Sequence, residues 1–351
     1  MHLCNGLVDK IPIKTNEGSF LEKLLVIGSN SFSGASFIAH ALEMGSEVIG
    51  VSRSEEIAPV FLPYRWISTE AQQRFKFYRV DLNHNLDALL GIINTFKPEY
   101  VVNFAAQSMV AESWQNPDHW MMTNVVSTVR LHERLRQCDF IKKYVHISTP
   151  EVYGSCSGLV SEQNPYNPST PYAVSRAAAD MSLMTYLKQY NFPVVFTRAA
   201  NVYGSGQQLY RIIPRTILFF LTGRKLQLHG GGHSVRSFIH IRDVSEGTLR
   251  VMRTASPGEI YHLSTTRNIS IRDVVELIAS RLNVSFNDHV EVVGERPGKD
   301  SAYLLDSAKA RDTLGWKDAI TLENGIDDTI RWVKDNFDTL LSQPSDYFHK
   351  P

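Results

Sequence analysis

Short runs of β-branched and apolar residues alternate with amphipathic segments through the first two thirds of the chain, and this alternation restricts the fold more than any other feature. The first runs are LLVIG at residues 24–28 and EVIGVS at residues 47–52, and a helix is predicted between them at residues 33–44. Strands with apolar residues at every position are buried on both faces, and a helix between each pair makes consecutive strands parallel. The pattern therefore predicts an α/β fold with a doubly wound parallel sheet.

The rest of the chain extends this pattern and then changes. Further strands are predicted at residues 75–82, 100–106, 142–149 and 194–201. Further helices are predicted at residues 86–96, 124–137, 171–190, 271–282, 307–314 and 322–336. Beyond residue 204 the segments are shorter and glycines cluster. We interpret the chain as an N-terminal extension, a Rossmann domain for a dinucleotide, a smaller C-terminal α/β domain for the substrate, interleaved with the last sheet strands, and a tail: residues 1–22, 23–204, 205–340 and 341–351.

Charge and cysteine content exclude several classes of protein. Lysine and arginine together number 36, as do aspartate and glutamate, so no overall charge attracts nucleic acid or an anionic membrane. No apolar run approaches the roughly 20 residues of a membrane-spanning helix. Cys4, Cys138 and Cys156 are odd in number and lack the spacing of metal ligands. These features predict a cytoplasmic protein without a disulfide framework or a metal site.

A glycine turn joins the first predicted strand to its helix. In dinucleotide-binding folds such a turn lets a pyrophosphate approach the helix N-terminus. Here the turn reads GSNSFSG, and Ser31 stands where the middle glycine of the usual spacing would be. The serine restricts the approach of the backbone, although its hydroxyl could still meet a phosphate. The predicted cofactor contacts in this turn are Gly28, Asn30, Ser31, Phe32 and Gly34.

The end of the second strand bears on the choice between NAD and NADP. A fold selective for NAD usually offers a carboxylate to the adenosine ribose at this point. The strand here ends with Ser52, Arg53 and Ser54, and the first acid is Glu55. A cation between hydroxyls suits a 2′-phosphate, so the sequence favours NADP, with NAD as the alternative. Further cofactor contacts are predicted after the later strands, at Asp81, Leu82, Ala105, Ala106, Gln107 and Thr123.

Three motifs with reactive side chains occur at the ends of buried strands or at the start of a helix. They are STPEVYG at residues 148–154, YAVSR at residues 172–176 and RAANVYG at residues 198–204. The carboxyl ends of parallel strands meet in one crevice. The motifs therefore place a hydroxyl, a carboxylate, a phenol and a guanidinium near the presumed nicotinamide.

With these motifs, residues 23–335 resemble the extended short-chain dehydrogenases/reductases, specifically the nucleoside-diphosphate-sugar 4,6-dehydratases. The segment STPEVYG resembles the STDEVYG of that branch, and VYGSGQQLYRIIPRTI, GGGHSVRSFIHIRDV and ERPGKD support the match. The resemblance implies a tightly bound NAD(P) that is regenerated in each turnover, a nucleoside-diphosphate hexose as substrate, and a homodimer that pairs through residues 122–137 and 172–190.

The resemblance also implies a reaction and roles for individual residues. The sugar is oxidised at C4, water is lost across C5 and C6, and hydride returns to C6. Tyr172 corresponds to the base for the 4-hydroxyl, Thr149 to its hydrogen-bond partner, Glu151 to the C5 base and Arg176 to the lysine beside the tyrosine. The predicted substrate contacts are Ser108, Asn201, Arg211, Ile212, Arg236, Arg296 and Asp300.

At two positions the sequence differs from the family pattern, and these differences leave alternative functions. Pro150 replaces an aspartate that acts as the acid in dTDP-glucose 4,6-dehydratases, and Arg176 replaces the usual lysine. We still expect Arg176 to activate Tyr172 electrostatically. A UDP-glucuronate decarboxylase or a C4 epimerase on the same fold is the nearest alternative. A cofactor-binding partner subunit that has lost catalysis is an alternative of another class.

Overall fold

The computed structural model describes residues 21–294 and 304–350. Its strands are, in chain order, β1 (Lys23–Ile27), β2 (Glu47–Ser52), β3 (Phe75–Arg79), β4 (Tyr100–Asn103), β5 (Lys143–Ile147), β6 (Leu159–Val160), β7 (Val194–Ala199), β8 (Asn201–Tyr203), β9 (Leu226–His229), β10 (Val235–His240), β11 (Ile260–Leu263), β12 (Asn268–Ser270), β13 (Val290–Val293) and β14 (Leu304–Leu305). Its α-helices are α1 (Phe32–Glu43), α2 (Thr69–Gln72), α3 (Leu86–Phe96), α4 (Pro117–Trp120), α5 (Ser127–Leu135), α6 (Pro171–Tyr190), α7 (Ile212–Leu221), α8 (Ile241–Thr254), α9 (Ile271–Leu282), α10 (Phe286–His289), α11 (Ala308–Leu314), α12 (Leu322–Asp335) and α13 (Phe337–Leu341).

Seven strands form the main sheet in the order β11-β7-β5-β4-β1-β2-β3, and every neighbouring pair is parallel. The order reverses between β1 and β4, which is where a doubly wound sheet opens a crevice at its carboxyl edge. This topology confirms the predicted Rossmann fold. Strand β11 comes from beyond residue 204 and adds to the far edge, so the C-terminal half contributes to the sheet.

The first strand shows why the sheet is covered on both faces. Leu24 and Val26 of β1 pack in a core with helices α1 and α8, whereas Leu25 and Ile27 pack in a second core with α3 and α5. All four side chains are at most 1% exposed. Because side chains alternate across a strand, an unbroken apolar run requires a helical layer on each side.

A second group of elements, formed mainly by residues after 200, lies apart from the main sheet. Strands β12, β10 and β8 form a small sheet, and β13 pairs with β9. Helices α7, α9 and α12 cover these strands around a separate apolar cluster that includes Ile213, Val274 and Ile326. This arrangement places the N-terminus of α7 and the strand β10 opposite the carboxyl edge of the main sheet.

The predicted helix at residues 124–137 differs from the structure. The helical run begins earlier, with α4, passes through a π-helical turn at Met121–Val126 and ends with α5. A π turn inserts an extra residue and is often associated with functional sites. Here it turns the side chain of Asn124 towards the loop after β4. Within the described residues no helix is long and apolar enough to cross a membrane.

Candidate active site

A cavity of about 1090 Å³ opens at the carboxyl edge of the main sheet, between the sheet and the C-terminal elements. The loops after β1, β4, β5 and β7 contribute to it from one side, and α7, β9 and β10 contribute from the other. The predicted site residues that line it are Ser31, Phe32, Ala106, Ser108, Thr149, Glu151, Tyr172, Arg176, Asn201, Arg211, Ile212 and Arg236. The convergence expected from the strand order therefore occurs.

The loop after β5 presents the hydroxyl and carboxylate. Thr149 caps a short 3₁₀ helix, Pro150–Tyr153, and its Oγ1 accepts a hydrogen bond of 3.3 Å from the amide of Glu151. Pro150 occupies the first helical position, where its missing N–H costs nothing and its fixed φ favours the turn. The proline is buried and has no acidic group. The half-buried Glu151 is therefore the carboxylate that this loop offers to the cavity.

Tyr172 lies in the first turn of α6. Thr170 caps this helix by accepting a hydrogen bond from the amide of Ala173 at 3.1 Å, and Pro171 occupies the first position. The phenol is 8% exposed and hydrogen-bonds Thr149. Burial raises the pKa of Tyr172 above its ordinary value, and the Glu151 carboxylate raises it further.

Arg176 lies one turn after Tyr172 and is 2% exposed. Its Nη2 donates a hydrogen bond to the carbonyl of Ile147 and lies 3.2 Å from Nε2 of His146. Its Nη1 is buried and has no hydrogen-bond partner among the described residues. Arg176 lowers the pKa of Tyr172, as expected, but burial outweighs this effect. Arg176 therefore counteracts part of the rise in the pKa of Tyr172.

A buried ion pair lies beneath the loop after β5. Nη2 of Arg198, on β7, lies 2.8 Å from Oδ2 of Asp180, on α6, and both side chains are fully buried. The hydroxyl of Ser148 donates to the same carboxylate at 2.6 Å, and Arg198 donates to the phenol oxygen of Tyr153. These contacts tie the loop that carries Glu151 to the helix that carries Tyr172.

The glycine turn adopts the geometry of a strand-to-helix connection. Gly28 has a φ of +85°, and a Cβ there would lie 2.7 Å from the amide of Ala105. A Cβ on Gly34 would lie 2.3 Å from the carbonyl of Gly28. The hydroxyl of Ser31 caps α1 by accepting a hydrogen bond from the amide of Gly34 at 3.1 Å, and it donates to the carbonyl of Gly28 at 2.7 Å. The serine hydroxyl thus stabilises the turn.

The end of β2 is tied to the glycine turn and to the C-terminal tail. Asn30 donates its amide to the hydroxyl of Ser52 at 3.0 Å and its side-chain amide to the carbonyl of Ser54 at 3.0 Å. Nη2 of Arg53 donates to the carbonyl of Lys350 at 3.1 Å. The cation on which the preference for NADP was based therefore contacts the chain's own tail.

The remaining predicted cofactor residues lie beside the cavity and do not line it. The carboxylate of Asp81 accepts a hydrogen bond from the amide of Asn83 at 2.8 Å, and Thr123 accepts one from the side chain of Asn83 at 3.2 Å. The side chain of Gln107 donates to the carbonyl of Lys350 at 2.7 Å. The residues outside the cavity lining are Gly28, Asn30, Gly34, Ser52, Arg53, Ser54, Asp81, Leu82, Ala105, Gln107 and Thr123.

The side of the cavity formed by α7, β9 and β10 carries positive charge. Arg211 directly precedes α7, and Arg236 lies on β10, is 8% exposed, and donates to the carbonyl of Val235 at 2.8 Å. Both guanidinium groups line the cavity together with Asn201, on β8. The predicted contacts Arg296 and Asp300 lie outside the described residues. Among residues 21–294 and 304–350, no group of three or more His, Cys, Asp or Glu side chains could hold a metal ion.

Sequence reasoning missed two contributors to this region. The side chain of Asn124 accepts a hydrogen bond from the amide of Gln107 at 2.8 Å and donates to Ser175 Oγ at 2.9 Å. One asparagine on the buried side of an otherwise apolar helix is a signal that could have identified Asn124, because buried polar side chains need hydrogen-bond partners. The second contributor is the tail, whose contacts span more than 200 residues of sequence.

Most of the chain is similar to known nucleotide-sugar dehydratases and epimerases. A family model described as GDP-mannose 4,6 dehydratase matches residues 25–329. A dTDP-glucose 4,6-dehydratase from Streptomyces antibioticus is 34% identical over 322 residues, 89% of this chain and 92% of that protein. The structure of a dTDP-glucose 4,6-dehydratase from Streptomyces venezuelae, with NAD bound, has a TM-score of 0.82 and 29% identity, and covers 90% of this chain and 98% of that one. A UDP-glucuronic acid 4-epimerase from Bacillus cereus, solved with NAD, has a TM-score of 0.80 and 27% identity. The match covers 89% of this chain and 99% of that one.

Proposed function

The chain belongs to the GDP-mannose 4,6-dehydratase family, and on this basis we propose that it is an NAD-dependent nucleotide-sugar 4,6-dehydratase. Its product is a 4-keto-6-deoxy sugar nucleotide, and the reaction is that of a carbon–oxygen lyase. The observation that carries the proposal is the meeting of Thr149, Glu151 and Tyr172 in one cavity. These are the hydroxyl, the carboxylate and the phenol that the chemistry requires.

Each of the three residues has a distinct task. Tyr172 accepts the proton of the 4-hydroxyl, and its hydrogen bond with Thr149 stabilises the phenolate that makes this possible. Oxidation at C4 acidifies the proton on C5, so the carboxylate of Glu151 can remove it. Loss of the C6 hydroxyl as water then requires a proton at that oxygen. Because Pro150 has no proton to give, Glu151 passes on the proton that it took from C5, directly or through a water.

A nicotinamide dinucleotide fits this cavity at the catalytic end. When bound, it would accept the hydride from C4 and return it to C6. The buried Nη1 of Arg176 lacks a protein partner within the described chain and could bind its ribose hydroxyls, the task of the usual lysine. Ser31 and Phe32 bring the positive end of the α1 dipole to the cavity, where a diphosphate is favoured.

We propose NAD as the cofactor. The related structures from Streptomyces venezuelae and Bacillus cereus contain NAD, and the preference for NADP drawn from Arg53 finds no support in them. Comparing the dinucleotide released from the purified protein with NAD and NADP standards tests this assignment.

The substrate is proposed to bind on the opposite side of the cavity. Arg211 and Arg236 are two cations near which a diphosphate would be stabilised. Asn201 and Ser108 offer neutral hydrogen-bonding groups, and Ile212 adds an apolar surface. Arg296 and Asp300 remain predicted contacts on the basis of the family motif.

The replacement Glu151→Gln tests the function. It keeps the size of the side chain but removes the C5 base, so dehydration should fall by about 10²–10⁴-fold. The assay follows the loss of one water from dTDP-glucose, UDP-glucose, GDP-mannose and CDP-glucose by mass spectrometry. Glu276→Gln is a matched control, because Glu276 pairs with Arg272 on the surface of α9. Equal turnover of Glu151→Gln and the wild type would remove Glu151 from the mechanism.

Pro150 is the observation that favours a second candidate, a C4 epimerase or a UDP-glucuronate decarboxylase. Neither reaction needs an acid at that position, and the fold is shared with an epimerase. Incubation with UDP-glucuronate separates the possibilities: a decarboxylase releases carbon dioxide, an epimerase gives an isomer of unchanged mass, and a dehydratase does neither. A catalytically inactive partner subunit would produce no transient reduced cofactor with any sugar nucleotide.

We also propose that the chain forms a homodimer through residues 122–137 and 172–190. Met122, Val174, Met181 and Tyr190 expose between 40% and 58% of their surface along these segments. Val174 and Met181 are seven residues apart and lie on one face of α6. Exposed apolar side chains on one face are suited to a second copy that presents the same face. Light scattering should give twice the mass of one chain, and Met181→Lys should shift the protein towards the monomer.

A further inference from the structure

The last described residues of the C-terminal tail, 345–350, lie against the body of the protein without helix or strand, and the chain bends at Asp346. Ser345, Tyr347 and His349 are partly buried, whereas Phe348 between the last two is 70% exposed. This alternation is typical of an extended segment that lies along a surface with one face down. The tail is therefore docked along its length.

Specific contacts hold the docked tail. Asp346 forms an ion pair with Arg215 at 3.2 Å, and the ring of Tyr347 packs edge-on against Tyr210 at 5.4 Å. The ring of His349 stacks on that of the buried Trp120, with centroids 5.0 Å apart. Nε2 of His349 also shares a hydrogen bond of 2.8 Å with Nδ1 of His119.

The last contact places the tail over the glycine turn. The carbonyl of Lys350 accepts hydrogen bonds from Gln107 at 2.7 Å and from Arg53 at 3.1 Å. Gln107 follows β4 and Arg53 follows β2, and β1 lies between these strands in the sheet. An oxygen that both side chains reach must therefore lie above the carboxyl end of β1, where the turn from Gly28 to Gly34 begins α1.

A dinucleotide needs the same position. In a doubly wound fold its pyrophosphate lies over the turn after the first strand, and its adenosine extends towards the end of the second. The open cavity includes Ser31, Phe32 and Ala106, whereas Arg53 and Gln107 are not among its lining residues. The part of the groove that would take the adenosine half is thus covered by the tail.

We infer that the tail is an autoinhibitory segment that competes with the dinucleotide for this half of the groove. The inference rests on the proposed function, because it requires a dinucleotide site. The carbonyl of Lys350 accepts hydrogen bonds from side chains that phosphate or ribose oxygens would otherwise use. The docked tail and the dinucleotide therefore cannot occupy this part of the groove together. The dinucleotide binds after the tail leaves, and its apparent affinity is reduced by the fraction of molecules in which the tail is docked.

Removing the tail tests the inference. We compare the full chain with a variant truncated after Pro344, both stripped of dinucleotide, and measure NAD binding by calorimetry. If the tail is docked in about nine tenths of the molecules, truncation should tighten the apparent Kd about tenfold. His349→Ala, which loses the contacts with His119 and Trp120, should give an intermediate value. Phe348→Ala is the matched control within the tail, and its affinity should equal that of the full chain.

Hydrogen exchange gives an independent readout on the full chain. NAD should accelerate exchange at the amides of residues 345–350, since the tail is displaced. A truncated variant that binds NAD no more tightly than the full chain, or slower exchange in the tail with NAD, would overturn the inference. Neither result affects the proposed function. Absence of dinucleotide binding by both the full chain and the truncated variant would instead refute the proposed function.

Discussion

Ser31 stands where a dinucleotide-binding turn usually has its middle glycine, and its side chain explains why the turn still forms. Its φ of −74° suits any L-residue, so a glycine is not required there for backbone reasons. The glycines that the geometry does require, Gly28 and Gly34, are present. A glycine at position 31 would let the backbone approach a ligand more closely, whereas Ser31 gives α1 an N-cap. An N-cap typically stabilises a helix by about 1 kcal/mol.

Replacing Arg176 tests which groups set the pKa of Tyr172. Burial and Glu151 raise the pKa of Tyr172, whereas Arg176 lowers it. Removing the guanidinium in Arg176→Gln should therefore raise this pKa further. In the proposed mechanism the phenolate is the form that accepts the 4-hydroxyl proton, so the rise of turnover with pH should move to higher pH. The measurement is the pH profile of keto-product formation at saturating NAD and sugar nucleotide.

The conservative replacement serves as the control for that profile. Arg176→Lys keeps a positive charge beside Tyr172 and should keep the profile close to that of the wild type. An Arg176→Gln profile that coincides with the wild type would mean that the guanidinium does not act on the phenol. A uniform loss at every pH would indicate a role in cofactor binding alone.

At the scale of elements, three helices were predicted most accurately. The bounds of α3, α6 and α9 match the predicted helices residue for residue. Strands β3 and β4 are shorter than predicted, because pairing stops at Arg79 and Asn103 while the apolar run continues into loops. The π turn before α5 was not predicted, since it depends on contacts of Asn124 with the loop after β4. Local sequence does not encode such distant partners.

The buried ion pair between α6 and β7 should contribute strongly to the free energy of unfolding. In Asp180→Asn the buried guanidinium of Arg198 loses its counter-charge, and such losses usually cost about 3–5 kcal/mol. Urea denaturation should show this decrease in the free energy of unfolding. The double variant Asp180→Leu/Arg198→Met removes both charges and should be less destabilised than Asp180→Asn. A cost below about 1 kcal/mol for Asp180→Asn would contradict a structural role for the pair.

For the whole molecule, the rule that strand ends converge predicted the centre of the site but not its boundaries. Thr149, Glu151, Tyr172 and Arg176 line one cavity because the sheet order brings β4, β5 and β7 side by side. The docking of the tail near Arg53 could not be predicted, since no periodicity or motif links chain segments that are 297 residues apart. Topological rules apply to strands, whereas a tail is placed by its individual side-chain contacts.

Buried histidines should make the stability of the whole fold depend on pH. Burial lowers the pKa of His132 and His240 to about 4 and that of His262 to about 3. In the unfolded chain these side chains titrate near 6.5. Below that pH the unfolded state binds more protons than the folded state, so the free energy of unfolding is greatest above about pH 6.5 and decreases as the pH falls towards 4.

His132 allows this dependence to be measured at one position. It is fully buried against Tyr186, and its Nδ1 has no partner among the described residues. Between pH 7 and pH 5 the wild type should lose about 2 kcal/mol through this group. His132→Leu should reduce the loss by that amount in chemical denaturation at the two pH values. His84→Leu is the control: the His84 side chain is 76% exposed, so it contacts water in both states and the loss should be unchanged. If the free energy of unfolding fell equally in His132→Leu and the wild type, His132 would be binding its proton in the folded state, and burial would not lower its pKa.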